Sequence, residues 1–293
     1  DMFSELGLES PYDIVRAHQW TFDLVTQWSK LVSADFNSDG VINYKDKFGM
    51  GGQSDNMWSM FYSGGGRTVT LQDDDSYKVT LASEHGVDVA DAVLELMQNK
   101  AYFVNANDYW YEPGYTTSPC ELVNAAFLDD RCLLYSGTLS GIADLRDMET
   151  DYGILPMPLY DENQEEYCSF ANPWAGSVFS IPYALEQDEA ERSAVLLQVL
   201  GAEGLNSVIP AYYEVCLKGQ RTRDDDSIEM LDLIRSTAGC DLGQMYNWAQ
   251  LGFNVLHASI NASAGSYVSL VQQNQSAIES AIKSTVEAFE SLN

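Results

Sequence analysis

Apolar residues recur every three or four positions over several stretches of the chain, which is the spacing that places them on one face of a helix. Residues 17–34 show this spacing and predict a helix with Thr21 as its N-cap. Residues 55–63 predict an aromatic helix that starts at Asp55 and ends at the glycines 64–66. The same periodicity predicts helices over residues 86–99, 120–129, 188–200, 203–208, 226–236, 247–261 and 275–292.

Short apolar runs lie between these helices and predict strands over residues 48–52, 131–135, 152–157 and 177–181. Two further runs, 67–71 and 77–81, flank an acidic turn at 73–75 and predict a β-hairpin. Because strands alternate with helices along the chain, the pattern predicts an α/β layered fold.

Composition narrows the class of protein. The 293 residues are 45% hydrophobic and 12% aromatic, which is enough to bury a sizeable core. Acidic residues outnumber basic ones by 44 to 15, and the resulting net charge of −29 disfavours binding to nucleic acid or to an anionic membrane. No run of 18 apolar residues predicts a transmembrane helix.

The five cysteines, Cys120, Cys132, Cys168, Cys216 and Cys240, are scattered and form no CxxC pair. This spacing indicates neither a zinc site nor a dense disulfide framework. An odd number leaves at least one free thiol in a monomer, and one or two disulfide bridges remain open.

Residues 35–46 have the residue order of a calcium-binding loop. A twelve-residue loop supplies oxygen ligands from positions 1, 3, 5, 7, 9 and 12, with glycine at position 6 for the sharp turn. Gly40 stands at position 6. The ligand positions hold Asp35, Asn37, Asp39, the carbonyl of Val41, Asn43 (through a water) and Asp46.

The last ligand of this loop is Asp46 rather than the longer glutamate of a sensor EF-hand. The shorter side chain favours a static site of the dockerin type, with a structural role for calcium. The alternative is a surface turn rich in Asp, Asn and Gly that binds no metal.

The sequence shows no arrangement of residues that predicts catalysis. The three histidines, His18, His85 and His257, belong to no HExxH pattern, and there is no GxSxG. Carboxylates gather in turns and on helix faces, where they are solvated, rather than at apolar strand ends that would raise their pKa. We therefore expect no catalytic residues.

Aromatic residues near the ends of elements suggest a different activity. Trp58, Trp174 and Trp248 each neighbour polar or glycine residues. Sugar rings present apolar C–H faces edged by hydroxyls, and an aromatic ring with polar groups beside it is their physical complement. The alternative is that these three tryptophans belong to the core.

Several segments resemble, in order, those of one family of proteins. Residues 1–8 read DMFSELGL, residues 20–23 read WTFD, residues 125–137 read AAFLDDRCLLYSG, residues 152–158 read YGILPMP and residues 175–182 read AGSVFSIP. This order resembles the extracellular solute-binding proteins of sugar-type ABC importers, the group that includes maltodextrin-binding protein. Ser177 replaces a glycine of the family pattern, and Thr138 and Leu139 stand where an aromatic residue is common.

The resemblance implies an α/β fold of the type II periplasmic-binding-protein class. Residues 1–174 and 221–293 would form the C-terminal lobe, and residues 175–220 would cross to the N-terminal lobe and back. It also implies that the chain lacks most of the N-terminal lobe. Exposed apolar residues of the 188–200 helix would then be mobile or self-associated.

The resemblance further implies that a carbohydrate binds between two lobes and is delivered to an ABC permease. Its contacts on this lobe would be Asp55, Asn56, Trp58, Ser136, Gly137, Trp174, Asn247 and Trp248. The protein would be a monomer at the cell surface, anchored by lipid through an N-terminal region. The alternative function is a secreted carbohydrate-active enzyme or a calcium-dependent adhesion module.

Overall fold

The computed structural model describes residues 2–146, 148–219 and 222–292. Two sequence-based predictions fall partly outside these residues. They are Asp1 of the segment 1–8 that resembles the family, and the predicted lobe boundary between residues 220 and 221. The helices are α1 Met2–Glu5, α2 Pro11–Arg16, α3 Phe22–Lys30, α4 Asn56–Ser63, α5 Glu84–Met97, α6 Cys120–Leu128, α7 Gln187–Glu203, α8 Asp225–Ser236, α9 Leu242–Tyr246, α10 Ala258–Asn261 and α11 Tyr267–Glu290. The strands are β1 Phe48–Gly52, β2 Val69–Leu71, β3 Tyr77–Val79, β4 Phe103–Asn105, β5 Cys132–Tyr135, β6 Ser169–Phe170 and β7 Ala238–Gly239.

Several shorter helical turns complete the described elements. The 3₁₀ turns are Ala106–Tyr109, Leu139–Leu145, Pro173–Ala175 and Trp248–Gln250. Wider π-helical turns occur at Gly204–Val208, Ala211–Lys218 and Gly252–His257.

A parallel three-stranded sheet lies at the centre, in the order β4-β1-β5. Met50 of β1 is the register partner of Phe103 in β4 and of Leu134 in β5. All five residues of β1 are buried, as expected for a strand covered on both faces. The α/β prediction is therefore confirmed, and the β1 bounds match the predicted strand.

Glycines let helices approach β1 closely. A Cβ added to Gly49 would lie 2.3 Å from the Cα of Ser29 in α3, and one added to Gly51 would lie 2.4 Å from Val123 in α6. Neither position has room for a side chain, so β1 is sandwiched between these two helices.

Most large apolar side chains join one core around this sheet. Helices α3, α4, α5 and α11 supply much of it, including Phe22, Trp58, Phe61, Leu96 and Ile278. A second, smaller cluster contains Ile142, Leu145, Met148, Tyr152, Ile154, Tyr213, Leu217 and Leu231. Tyr213 and Leu217 come from the predicted crossing segment, so its last turn packs on the main body of the chain.

Local sequence patterns correctly predicted where several helices and strands begin or end. The Thr21 side chain accepts a hydrogen bond from the Leu24 N–H and caps α3, as predicted. Helix α3 is shorter than the predicted 17–34 at both ends, and His18, before its N-cap, adopts a left-handed conformation with φ of 62°. Strands β2 and β3 pair antiparallel around the acidic turn, which confirms the hairpin.

The predicted helix over 247–261 is broken. Asn247, Ala249 and Gln250 have positive φ angles, so the chain changes direction there before Gly252–His257 and α10. The last helix starts at Tyr267 rather than at 275. All five cysteines are free thiols.

Two predicted strands do not form. Residues 152–157 belong to none of the described strands, and their path ends at a single bridge between Leu159 and Thr21. Pro156 and Pro158 lack the N–H that a strand ladder needs. Residues 177–181 lie in solvent, with Phe179 83% exposed, and no strand of the described residues pairs with them.

Helix α7 and the turns after it project their apolar side chains into solvent. The helical run Gln187–Lys218 is 32 residues long, and among the described residues it alone could span a membrane by length and composition. Core helices of soluble proteins meet the same criterion, but the most apolar window of this run is entirely unburied. The exposed side chains include Val195, Leu196, Val199, Leu200, Leu205 and Val208.

Because β1 and α3 are in close contact, adding one methyl group between them should strongly reduce the stability of the fold. Replacing Gly49 with alanine should lower the free energy of unfolding by about 1–3 kcal/mol, because the new Cβ overlaps the Ser29 backbone. Gly201→Ala is the matched control, since that position in α7 has open space around it. It should stabilise the chain by about 0.5–1 kcal/mol through helix propensity. Urea unfolding measures both, and equal effects would contradict the β1 packing.

Candidate functional site

The carboxyl ends of β1, β4 and β5 lie at one edge of the parallel sheet, where ligands bind in open α/β folds. Hydrogen bonds tie the segments after these strands together. The Ser54 N–H donates to Asn107 Oδ1 over 2.8 Å, and Asn105 Nδ2 donates to Ser54 Oγ over 2.9 Å. This edge is therefore a rigid, polar platform.

Asp55 and Asn56 follow β1 at this edge but point in different directions. The Asn56 side chain is buried, and its Oδ1 accepts a hydrogen bond from the Gln53 N–H over 2.7 Å. Asp55 makes no capping hydrogen bond to α4 and stays partly exposed, with its Oδ1 3.7 Å from His257 Nδ1. Asp55 and Asn56 were both predicted to contact the ligand. Only the Asp55 carboxylate is accessible at the surface, where it lies beside His257.

Trp58 lies in the core rather than at the surface. Its side chain is 1% exposed, and its indole N–H donates to the carbonyl of Gly252 over 3.0 Å. A Cβ at Gly252 would lie 2.4 Å from the indole ring, so the backbone there rests directly on it. In this structure Trp58 cannot stack on a ligand, and the predicted direct contact is corrected to a supporting one.

Trp174, in contrast, is 62% exposed. Asn172 caps its short 3₁₀ turn by accepting a hydrogen bond from the Trp174 N–H over 3.0 Å. The Trp174 ring meets Phe253 edge-on, with centroids 5.5 Å apart, and Phe253 in turn meets the buried Trp58 at 5.4 Å. The exposed Trp174 indole therefore contacts the partly exposed Phe253, which packs on the buried Trp58.

We call Trp174, Phe253, His257 and Asp55 the aromatic patch. The rings of Phe253 and His257 are 5.9 Å apart, one turn from each other on the same π-helical segment. Neither Phe253 nor His257 was predicted as a site residue. Their four-residue spacing was the available signal, but it does not reveal that Trp174 and Asp55 lie beside them.

Asn247 and Trp248 do not join this patch. Asn247 adopts a left-handed conformation, and its Oδ1 accepts a hydrogen bond from the Gly252 N–H over 3.1 Å. The buried Trp248 stacks on Tyr246, with centroids 4.8 Å apart, and donates to Thr285 Oγ1 over 2.9 Å. Both residues shape the loop before Phe253, so their support for the patch is indirect.

Ser136 and Gly137 line a separate cleft of about 370 Å³ beside β5. Its other walls come mainly from β5 and from residues 148–158. Ser136 is buried, and its Oγ has no hydrogen-bond partner among the described residues. Burial raises the pKa of Tyr135 to about 12 and also raises the pKa of the Cys132 thiol. Both groups therefore stay protonated at neutral pH, where neither acts as a nucleophile.

The predicted calcium loop folds back on its own side chains. Asp35 accepts hydrogen bonds from the N–H groups of Ser38 and Gly40, both at 2.7 Å. Asp46 is buried, and its two oxygens accept from the N–H groups of Phe36 and Asn43, both at 3.0 Å. Among the described residues, no three His, Cys, Asp or Glu side chains converge as a metal cluster.

The predicted amide and carbonyl ligands of this loop lie close to its acidic ones. Asn37 Nδ2 donates to Asp39 Oδ2 over 2.8 Å, and Asn43 Nδ2 donates to the Val41 carbonyl over 3.3 Å. Gly40 has a φ of 82°, the left-handed conformation that position 6 of a calcium loop requires. The hard oxygen donors suit calcium, and the backbone supports the required turn.

Comparison with known proteins identifies the fold. No protein-family model and no curated protein matches the sequence. Among solved structures, the chain is similar to an ABC substrate-binding protein from Listeria monocytogenes in complex with cycloalternan, with a TM-score of 0.58 and 11% identity. The match covers 98% of this chain and 68% of that one. The chain therefore has the fold of an ABC substrate-binding protein.

Burial predicts opposite roles for the two contacting tryptophans. Trp58→Ala should destabilise the chain by about 3–5 kcal/mol, because it leaves a cavity under Gly252. Trp174→Ala should cost less than about 1 kcal/mol, since most of that side chain is already in water. Thermal or urea unfolding measures both. If Trp174→Ala lowered the free energy of unfolding more than Trp58→Ala, the assignment of Trp58 as the buried residue and Trp174 as the exposed one would be wrong.

Proposed function

We propose that this chain contains the ligand-binding C-terminal lobe of an extracellular, type II solute-binding protein, with residues 175–220 crossing to the N-terminal lobe and back. It captures a carbohydrate and delivers it to the permease of an ABC importer. The observation that carries this proposal is the aromatic patch, which stands next to the carboxyl edge of a parallel sheet in a substrate-binding fold.

The chemistry of the patch suits a sugar. The exposed Trp174 ring offers a flat apolar surface to the C–H face of a pyranose. The Asp55 carboxylate accepts hydrogen bonds from hydroxyls, and the His257 imidazole adds a further polar contact. Orientation by a few polar groups around an apolar surface is typical of a binding site.

The structural neighbour supports the same class of ligand. It is a substrate-binding protein rather than an enzyme, and it was solved with cycloalternan, a carbohydrate. This is consistent with the sequence-based prediction that the chain binds a sugar and does not catalyse a reaction on it.

A second lobe accounts for the solvent-facing helix. Residues 176–209 include the exposed Phe179 and the apolar side chains of α7. The binding site of a two-lobe protein closes by hinge motion, and an apolar helix crossing to the other lobe would be buried there. On this proposal, packing against the other lobe explains the high hydropathy of Gln187–Lys218. The whole protein is proposed to be a lipid-anchored monomer at the cell surface.

The binding role predicts that one aromatic ring controls affinity. The chain should bind a member of a panel of neutral oligosaccharides, cycloalternan among them, saturably and without producing products. Trp174→Ala should weaken that binding about tenfold or more, because the stacking surface is lost. Calorimetry measures affinity, and chromatography of the mixture checks for products.

Phe36→Ala is the matched control for Trp174. Phe36 is 59% exposed and follows Ala34, which bridges to Lys47 just before the N-terminal end of β1. Its replacement should leave affinity unchanged. If no oligosaccharide binds, or if both variants bind as the unaltered chain does, the proposal is wrong. Release of cleaved sugars would instead favour an enzyme.

Calcium is proposed to stabilise the 35–46 loop. Its ligands would be Asp35, Asn37, Asp39, the Val41 carbonyl, Asn43 through a water, and Asp46. The left-handed Gly40 and the oxygen-rich side chains support this assignment. Each Asp46 oxygen accepts one backbone N–H and keeps a second lone pair that an ion could use.

Calcium binding to the folded chain should raise its melting temperature. At a concentration one hundred times Kd, the gain in unfolding free energy is about 2.7 kcal/mol. Asp35→Ala combined with Asp39→Ala should abolish the response to calcium and to chelator. Asp73→Ala with Asp74→Ala removes the same charge from the exposed hairpin turn and should leave the response intact. A melting temperature that chelator never changes would mean that the loop is a metal-free turn.

A further inference from the structure

The aromatic patch contains one carboxylate, that of Asp55. Asp55 is half-exposed, and its nearest ionisable partner is His257, whose Nδ1 lies 3.7 Å from the carboxylate. His257 also packs against the Phe253 ring. Successive contacts from Trp174 to Phe253, to His257 and to Asp55 therefore connect the exposed indole with an imidazole and a carboxylate.

Most basic side chains of the described residues contact carboxylates or aromatic rings away from the aromatic patch. Those in ion pairs with carboxylates are Arg16, Lys30, Lys100, Arg131, Arg192, Lys218, Arg223, Arg235 and Lys283. Lys45 and Arg67 lie over tyrosine rings. None of the ion pairs or cation–π contacts of the described residues places a Lys or Arg on Asp55, Trp174 or Phe253.

This arrangement determines how a charged ligand would fare. A carboxylate on a bound sugar would lose hydration without gaining a cationic partner, which is costly. It would also approach Asp55 in the field of a chain with a net charge of −29. A neutral sugar loses only hydroxyl hydration, and Asp55 can replace it by accepting hydrogen bonds.

We propose that the aromatic patch selects uncharged carbohydrates and rejects uronates, and that Asp55 is the specificity-determining residue. This inference rests on the proposed carbohydrate-binding function. Selectivity here comes from a repulsive group against the wrong ligand as much as from attraction to the right one.

The test compares ligands that differ only in charge. The probes are the neutral oligosaccharide that binds tightest, and the same oligosaccharide with its primary hydroxyls oxidised to carboxylates. Affinities are measured for the full chain at low salt and at about pH 8, where histidines are ordinarily neutral. The oxidised sugar should bind at least about tenfold more weakly, and added salt should narrow the gap.

Asp55→Asn separates the role of this carboxylate from the effect of the global charge. It should reduce the ratio of neutral to oxidised affinity about fivefold or more, which is roughly 1 kcal/mol of discrimination. Asp73→Asn, in the exposed hairpin turn, changes net charge equally and should leave the ratio as it was. Thermal melts confirm that both variants fold.

The outcomes separate this inference from the function on which it rests. Binding of the neutral sugar with equal binding of its oxidised form would overturn the selectivity while leaving carbohydrate binding in place. An equal change of the ratio in both variants would overturn the role of Asp55. Absence of binding to any neutral sugar would overturn the proposed function, and the inference with it.

Discussion

The structure depends on how closely two helices can approach one strand. β1 is buried along its whole length, with Gly49 against the backbone of Ser29 and Gly51 against Val123. Because these glycines carry no side chain, α3 and α6 sit directly on the central strand, and the parallel neighbours β4 and β5 align beside it. The position of the sheet's carboxyl edge, and of every group attached to it, follows from this packing.

From that edge the site is built in two layers. The lower layer is buried: Trp58 donates to Gly252 and forms the floor on which Phe253 rests. The upper layer is exposed, with Trp174 meeting Phe253 edge-on and Asp55 facing His257. A rigid floor holds the exposed groups in place before a ligand arrives, which reduces the ordering that binding would otherwise require.

Signals contained within a few neighbouring residues were predictable from the sequence, as the Thr21 cap, the β1 strand and the acidic hairpin show. Residues 177–181 were not, because a strand needs a partner that no local pattern reveals. The tryptophans were equally ambiguous, since Trp58 and Trp174 both stand beside polar residues, yet distant contacts bury one and expose the other. His257 joined the site only through its approach to Asp55, about two hundred positions away along the chain.

The central claim is that the exposed layer of the patch meets the ligand, and indole N–H resonances test it most directly. The chain has 6 tryptophans, and an oligosaccharide titration followed by heteronuclear NMR reports on each of them. The Trp174 signal should shift in proportion to occupancy, while that of Trp28, buried in α3, should stay fixed. Saturable binding that leaves Trp174 unmoved would contradict the account and place the ligand elsewhere on the chain.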